Sequence, residues 1–126
     1  MTGLKSLVWH GEPVVSIQRF SRPLDTFGSG ILNSLGIRHS GVVATLKNGE
    51  RYLVHKGNEY GIWGDTVATP ARHMSSRWNP VSSSANVKPG TNLGDLIRTG
   101  GRNYDPFTDN CNHASCRIMG KHESQE

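Results

Sequence analysis

The chain of 126 residues is poor in apolar residues and contains no long hydrophobic run. Its apolar fraction is 34%, and no segment approaches the run of about 18 apolar residues that a membrane-spanning helix requires. The stretch from Met1 to Lys5 lacks the apolar core of a secretory signal. We therefore expect one cytoplasmic domain without a transmembrane segment, for which a peripheral contact with a membrane stays open.

The chain also lacks clustered basic residues and a phosphate-binding loop. Its net charge is +4, but lysine and arginine are scattered along the sequence, whereas nucleic-acid-binding tails carry basic blocks. No glycine-rich run ends in Gly-Lys-Ser or Gly-Lys-Thr. These absences argue against a specific nucleic-acid partner and against a nucleotide bound through such a loop.

Cysteine is scarce, since only Cys111 and Cys116 are present. Five residues apart on a predicted helix, they point about 140° away from each other, so a disulfide between them would require unwinding. A metal site from these two thiols and His113 lacks the ligand spacings of structural zinc. We expect no disulfide, no metal and no organic cofactor.

The pattern of apolar, capping and turn residues predicts strands alternating with helices. Residues 14–18 and 65–69 are predicted to be strands, the second ending at Pro70, and residues 71–90 are predicted to be mostly loop. A helix is predicted from Ser21 as N-cap, with Pro23 in its first turn, to about Leu35. A short helix over 92–98 is expected to be capped by Thr91 and stopped by Gly100 or Gly101. A last helix is expected from about Cys111 to Met119, capped by Thr108, Asp109 or Asn110, ending at Gly120, and followed by a frayed tail from His122.

Two β-prone runs, 40–46 and 51–54, flank Asn48-Gly49 and predict a hairpin. A two-residue turn would pair Lys47 with Glu50 and place His39 and His55 on opposite faces of the sheet. A three-residue loop with Gly49 in the left-handed conformation would pair Leu46 with Glu50 and place both histidines on one face, as diagonal neighbours. The sequence leaves both registers open.

Cys111 is predicted to lie in the first turn of the last helix. Unpaired backbone N–H groups and the positive end of the helix dipole favour a thiolate there and can stabilise an oxyanion. Asp109 opposes this effect by adding negative charge nearby. The alternative is that Cys111 is a small buried residue with no chemical role.

A thiol nucleophile needs a base, and the chain offers six histidines. We expect His10 and His122 to be solvated and His73 to lie in a polar loop. His113 follows Cys111 by two residues, so it points away and is expected to cap or pair locally. His39 and His55 on the hairpin remain as the best candidates.

Three segments together resemble the circularly permuted papain-like thiol enzymes, in which the histidine strand precedes the cysteine helix. They are Arg38-His39-Ser40-Gly41-Val42-Val43, Tyr52-Leu53-Val54-His55 and Asn110-Cys111-Asn112-His113-Ala114-Ser115. The two hairpin histidines are similar to those of the lecithin:retinol acyltransferase-like branch, which includes the H-box/NC proteins. His39-Ser40-Gly41 and the Asn-Cys-Asn-His stretch look like the PPPDE isopeptidase branch.

The resemblance implies Cys111 as nucleophile, His39 as general base and, on the first branch, His55 as the group that orients His39. We expect an α+β fold with a small, mostly antiparallel sheet packed on helices, arranged as a permuted papain-like domain. The expected reaction is hydrolysis or acyl transfer on an amide, isopeptide, ester or thioester, with a protein or another acyl-bearing molecule as substrate. The rival interpretation is an inactive domain that binds a protein partner. Four aromatic residues could line a groove for that partner or pack in the core, namely Tyr60, Trp63, Trp78 and Phe107.

Overall fold

The computed structural model describes residues 11–23, 39–56, 66–101 and 110–124. Within these ranges the chain forms one antiparallel sheet with two α-helices, which confirms the predicted α+β class. The strands are β1 Val14–Arg22, β2 His39–Leu46, β3 Arg51–Lys56, β4 Thr66–Pro70, β5 Asn79–Pro80 and β6 Ala85–Asn86. Their order is β4-β3-β2-β1-β5, and β6 also pairs with β1. The helices are α1 Leu93–Gly100 and α2 Cys111–His122, and neither has the length and apolar character needed to cross a bilayer.

The β2–β3 hairpin adopts the three-residue register. Gly41 pairs with His55 and Thr45 with Arg51, and the N–H of Leu46 donates to the carbonyl of Glu50 at 2.8 Å. Gly49 has a φ of 92°, in the left-handed region where glycine lacks the steric cost of a Cβ. Of the two registers open from the sequence, the structure therefore has the one that puts His39 and His55 on the same face.

The two faces of the sheet carry different residues because side chains alternate along each strand. Val42, Ala44 and Leu46 of β2 pack with Ile17 of β1. Three helix residues cover them and complete the buried core, namely Leu93, Leu96 and Ile118. Ser40 continues this helix-facing row. His39, Gly41 and Val43 alternate with that row and belong to the opposite face, which we call the histidine face.

Both helices begin with a capping box, in which the N-cap side chain and the third helical residue satisfy each other's backbone N–H groups. Asn92 and Asp95 form it in α1, and Asn110 and His113 form it in α2. The cap of α2 is one of the three that the sequence allowed, and His113 has the local capping role expected for it. Asn92 replaces the predicted Thr91 as the cap of α1, since the Thr91 hydroxyl donates instead to the carbonyl of Lys88 at 2.7 Å.

The prediction that Ser21 begins a helix is wrong. Ser21 and Arg22 continue β1, where they pair with Ser40 and His39. Pairing with a distant strand outweighs a local capping signal, because each paired residue satisfies backbone groups that a helix would otherwise satisfy. The remainder of the predicted helix, residues 24–35, lies outside the described residues, as does Asp65 at the start of the predicted fourth strand. Within the segment 71–90, predicted as loop, β5 and β6 are two-residue strands that pair with β1.

The end of α2 also differs from expectation. Gly120 does not stop the helix, which continues to His122, and the segment expected to fray is tied down. His122 is 8% exposed, its Nε2 lies 2.7 Å from the Thr99 hydroxyl, and its carbonyl accepts the N–H of Lys88. These long-range contacts explain why His122 is not solvated and why local composition did not reveal its position.

Candidate functional site

The centre of the histidine face is a pair of imidazoles. His39, fully buried, and His55, 8% exposed, approach until Nε2 of His39 lies 3.2 Å from Nδ1 of His55. The rings meet edge to face, with centroids 5.2 Å apart and an angle of 83° between their planes. At this distance one nitrogen carries the shared proton and the other accepts it, so each ring restricts the tautomer of the other.

Burial lowers the pKa of His55 to about 4, and the positive charge of Arg22 contributes in the same direction. The loss of hydration penalises the protonated form, which is the charged form of a histidine. His55 is therefore neutral at neutral pH. A neutral imidazole accepts a hydrogen bond through one nitrogen, as an orienting partner for His39 requires.

Arg22 and Trp78 close the pair on one side. Arg22 is the last residue of β1, opposite His39 in the register, and it is 7% exposed. The Trp78 ring lies 5.2 Å from that of His39, and the Arg22 guanidinium carbon lies 5.4 Å from the Trp78 ring centroid. This stacking is a cation–π contact that holds the tryptophan against the histidine. Trp78 thus packs at the candidate site, whereas Tyr60, Trp63 and Phe107 lie outside the described residues.

Cys111 is the first residue of α2 and is 2% exposed. The Asn110 side-chain oxygen accepts the backbone N–H groups of Asn112 at 2.9 Å and His113 at 3.2 Å. The thiol is therefore placed in the first helical turn, as the sequence predicted. Cys116 is exposed on the same helix, and the two cysteines form no disulfide.

The turn that carries Cys111 docks on β2 through hydroxyl groups. The Ser40 Oγ lies 3.3 Å from the Cys111 carbonyl, 2.9 Å from Asn112 Oδ1 and 3.1 Å from Ser115 Oγ. The Ser115 hydroxyl also donates to the Cys111 carbonyl at 2.9 Å. Arg19 of β1 donates to the same Asn112 oxygen at 3.2 Å. The sequence did not indicate these contacts, although Ser40 and Asn112 belong to the segments on which the resemblance rests.

The candidate nucleophile and the histidine pair meet at one end of the sheet, but from different sides. Ser40, which contacts the cysteine turn, is the neighbour of His39 in β2, and alternation directs their side chains to opposite faces. Both groups therefore lie near the beginning of β2, where His39 is the first residue. The structure brings His39 and His55 together, and it brings Cys111 to the adjoining residue.

No set of three or more histidine, cysteine, aspartate or glutamate side chains suited to a metal ion occurs among the residues that the structure describes. His73 is exposed in a 3₁₀ helix, Ala71–His73, and His10 and Asp109 lie outside the described ranges. Comparison of the chain with protein-family models, curated proteins and solved structures found no match.

Proposed function

We propose that the protein is a thiol-dependent hydrolase or acyltransferase with a permuted papain-like arrangement, in which Cys111 is the nucleophile and His39 the base. The observation that carries the proposal is the buried contact of 3.2 Å between His39 and His55. A base that must be held in one orientation and tautomer is served by a neutral partner of this kind. The substrate class extends over amides, isopeptides, esters and thioesters.

The proton movements follow from the nitrogen atoms in that contact. Neutral His55 accepts the Nε2–H of His39 on its Nδ1, which leaves Nδ1 of His39 as the basic nitrogen. This nitrogen takes the proton of the Cys111 thiol around the beginning of β2 through one bridging water. The thiolate then attacks the carbonyl carbon of the substrate. The imidazolium, still bonded to His55, returns the proton to the leaving group as the tetrahedral intermediate collapses. Water or a second acceptor releases the acyl group from the sulfur.

The start of α2 supplies the complementary part of the mechanism. The backbone N–H groups in the first turn of a helix point outward along its axis and stabilise negative charge on an attacked carbonyl oxygen. Asn110 accepts hydrogen bonds from the N–H groups of Asn112 and His113. We assign the N–H of Cys111 to the oxyanion because it belongs to the residue that attacks the carbonyl carbon. In this assignment the nucleophile and the oxyanion donor belong to one residue, which fixes their spacing.

The burial of Cys111 favours a second candidate function, in which a domain of the same fold binds a protein partner and catalyses no reaction. A cysteine that is only 2% exposed also suits a structural role. In that case Trp78 and Arg22 would be contact residues for the partner, since tryptophan and arginine are enriched at interfaces. Reactivity of the thiol separates the two functions.

The test is activity-based profiling with ester, amide and ubiquitin-like probes on wild type, Cys111→Ala, His39→Ala and the control His73→Ala. We expect covalent labelling that Cys111→Ala abolishes and His39→Ala lowers at least about 100-fold, the usual scale of general-base catalysis. His73 is exposed, so its variant should react like wild type. If wild type is labelled no faster than His39→Ala, the enzymatic function is refuted and the protein-binding function remains.

A further inference from the structure

Arg19 is a partly buried cation that lies against the start of α2. It belongs to the helix-facing row of β1, two residues from the core residue Ile17. Its Nη2 donates to Asn112 Oδ1 at 3.2 Å, the same oxygen that Ser40 contacts. The guanidinium is thereby held beside the residue that follows Cys111.

This charge has no visible compensation. Among the residues that the structure describes, the one ion pair is that between Arg98 and Asp95, and no carboxylate pairs with Arg19. The Arg19 Nε is buried and makes no hydrogen bond in the same part of the chain. The N-terminal end of a helix is itself positive, so a cation placed there is unfavourable unless negative charge forms nearby.

We propose that Arg19 is an electrostatic positioning residue that stabilises the thiolate form of Cys111. The proposal rests on the function proposed above, because it assigns the negative charge to the nucleophile of that reaction. Asn112 orients Arg19, and Ser40 orients Asn112, so the strand that carries His39 also sets the position of the cation. The guanidinium and the positive end of the helix dipole act in the same sense, since both favour the thiolate over the thiol.

Other charged groups act on the same turn and must be considered with Arg19. Lys56 lies on the helix-facing row of β3 and is fully buried, so it is a second basic side chain on that face. Asp109, two positions before Cys111 in the sequence, adds negative charge and opposes the effect. The remaining titratable or charged groups on the elements that surround this turn are Arg22, His39, Arg51, Tyr52, His55, Asp95, Arg98, His113, Cys116, Arg117, Lys121 and His122.

The experiment is a pH titration of the two cysteine ¹³Cβ NMR shifts in the full chain, which does not require a reagent to reach Cys111. The variants are Arg19→Met, which removes the charge and keeps the length, and Arg19→Lys, which keeps the charge. Exposed Cys116 is an internal reference on the same helix. We expect Arg19→Met to raise the midpoint of Cys111 by about one pH unit, as removal of one nearby charge predicts. Arg19→Lys should restore most of the difference, and Cys116 should not move.

If the pH midpoint of Cys111 is the same in wild type and Arg19→Met, the assignment is overturned. An equal rise of the midpoint in Arg19→Met and Arg19→Lys also overturns it, because the effect would then come from lost packing and not from lost charge. These outcomes are separate from the fate of the proposed function. If the Cys111 midpoint rises in Arg19→Met but the probes do not label the protein, the enzymatic function is rejected and Arg19 keeps its role as the partner of the thiolate. If labelling depends on Cys111 but the midpoint does not change in Arg19→Met, the enzymatic function is kept and the role of Arg19 is rejected.

Discussion

The Nε2 atom of His39 lies 3.2 Å from the Nδ1 atom of His55, although 16 positions separate the two residues in the chain. They meet because the hairpin register makes them diagonal neighbours on one face, and Gly41, opposite His55, leaves room for the approach. Alternation along β2 points Ser40 to the other face, where it contacts the turn of Cys111. One strand therefore presents the candidate base on one side and receives the candidate nucleophile on the other.

The depressed pKa of His55 predicts a specific loss of stability in mild acid. Below its ordinary pKa of 6.5 the unfolded chain binds a proton that the folded chain refuses until about pH 4. The free energy of unfolding should therefore fall as the pH drops through this window, by about 3 kcal/mol in total. Urea unfolding of wild type and His55→Phe between pH 7 and pH 4 measures the difference. The fall of the unfolding free energy with pH should become less steep in His55→Phe and stay as in wild type in His73→Ala. If it stays as in wild type in both variants, His55 is not the group responsible.

Gly41→Ala should separate the histidine pair. A Cβ at this position would lie 2.7 Å from Leu53 Cδ1, 3.0 Å from His55 Cβ and 3.0 Å from the backbone oxygen of Val54. The Leu53 methyl group can turn away, but the Val54 oxygen and the His55 Cβ move only with β3, so we expect β3 to give way beside the histidine contact. Probe labelling should then fall at least about tenfold if the pair orients the base. The matched control is Val43→Ala, which removes volume from the same face and lowers stability. Labelling that survives Gly41→Ala argues that the contact between the histidines is dispensable.

The two capping boxes allow a comparison of stability with reactivity. Asn110→Ala and Asn92→Ala each remove an N-cap side chain, and each should cost about 1 kcal/mol of unfolding free energy. Only Asn110 caps the helix that begins at Cys111, so only Asn110→Ala should also raise the pH midpoint of the Cys111 ¹³Cβ shift. Equal effects of the two variants on that midpoint show that the cap of α2 stabilises the helix and nothing more.

Two glycines outside the site should respond in opposite directions to alanine. Gly49 has a φ of 92° with open space around it, so Gly49→Ala should destabilise the protein by about 1 kcal/mol through backbone strain alone. Gly120 lies inside α2, also with open space, and Gly120→Ala should stabilise it by up to about 1 kcal/mol. Thermal or urea unfolding measures both. Destabilisation by Gly120→Ala indicates that α2 does not persist past Met119 in solution.

Features that depend on neighbouring residues were predictable. Asn48-Gly49 predicted the hairpin, and Asn110 predicted the start of α2, because turn and cap chemistry operate over a few positions. The choice between the two registers was not predictable, since both satisfy the turn. The observed register brings Tyr52 and Val54 of β3 into the same core as Val42 and Ala44 of β2, and this contact with the helices lies beyond the local sequence.

Features that depend on distant partners were missed. Ser21 resembles a helix cap until its pairing with Ser40 is known, and His122 resembles a frayed residue until Thr99 and Lys88 are placed beside it. Arg19 carries no motif at all and becomes notable only through its contact with Asn112. Contacts that join residues far apart in the chain are the part of the site for which a single sequence contains little signal.

The three-residue loop of the hairpin has a consequence for how this chain tolerates insertions and deletions. Loss or gain of one residue between Leu46 and Glu50 shifts the pairing by one position, and each such shift transfers a strand's side chains to the other face. His55 would then leave the face of His39, although the change lies roughly 20 Å away at the far end of the hairpin. Among variants of this protein that keep the histidine pair, the length of a solvent-exposed turn should be as invariant as the histidines themselves.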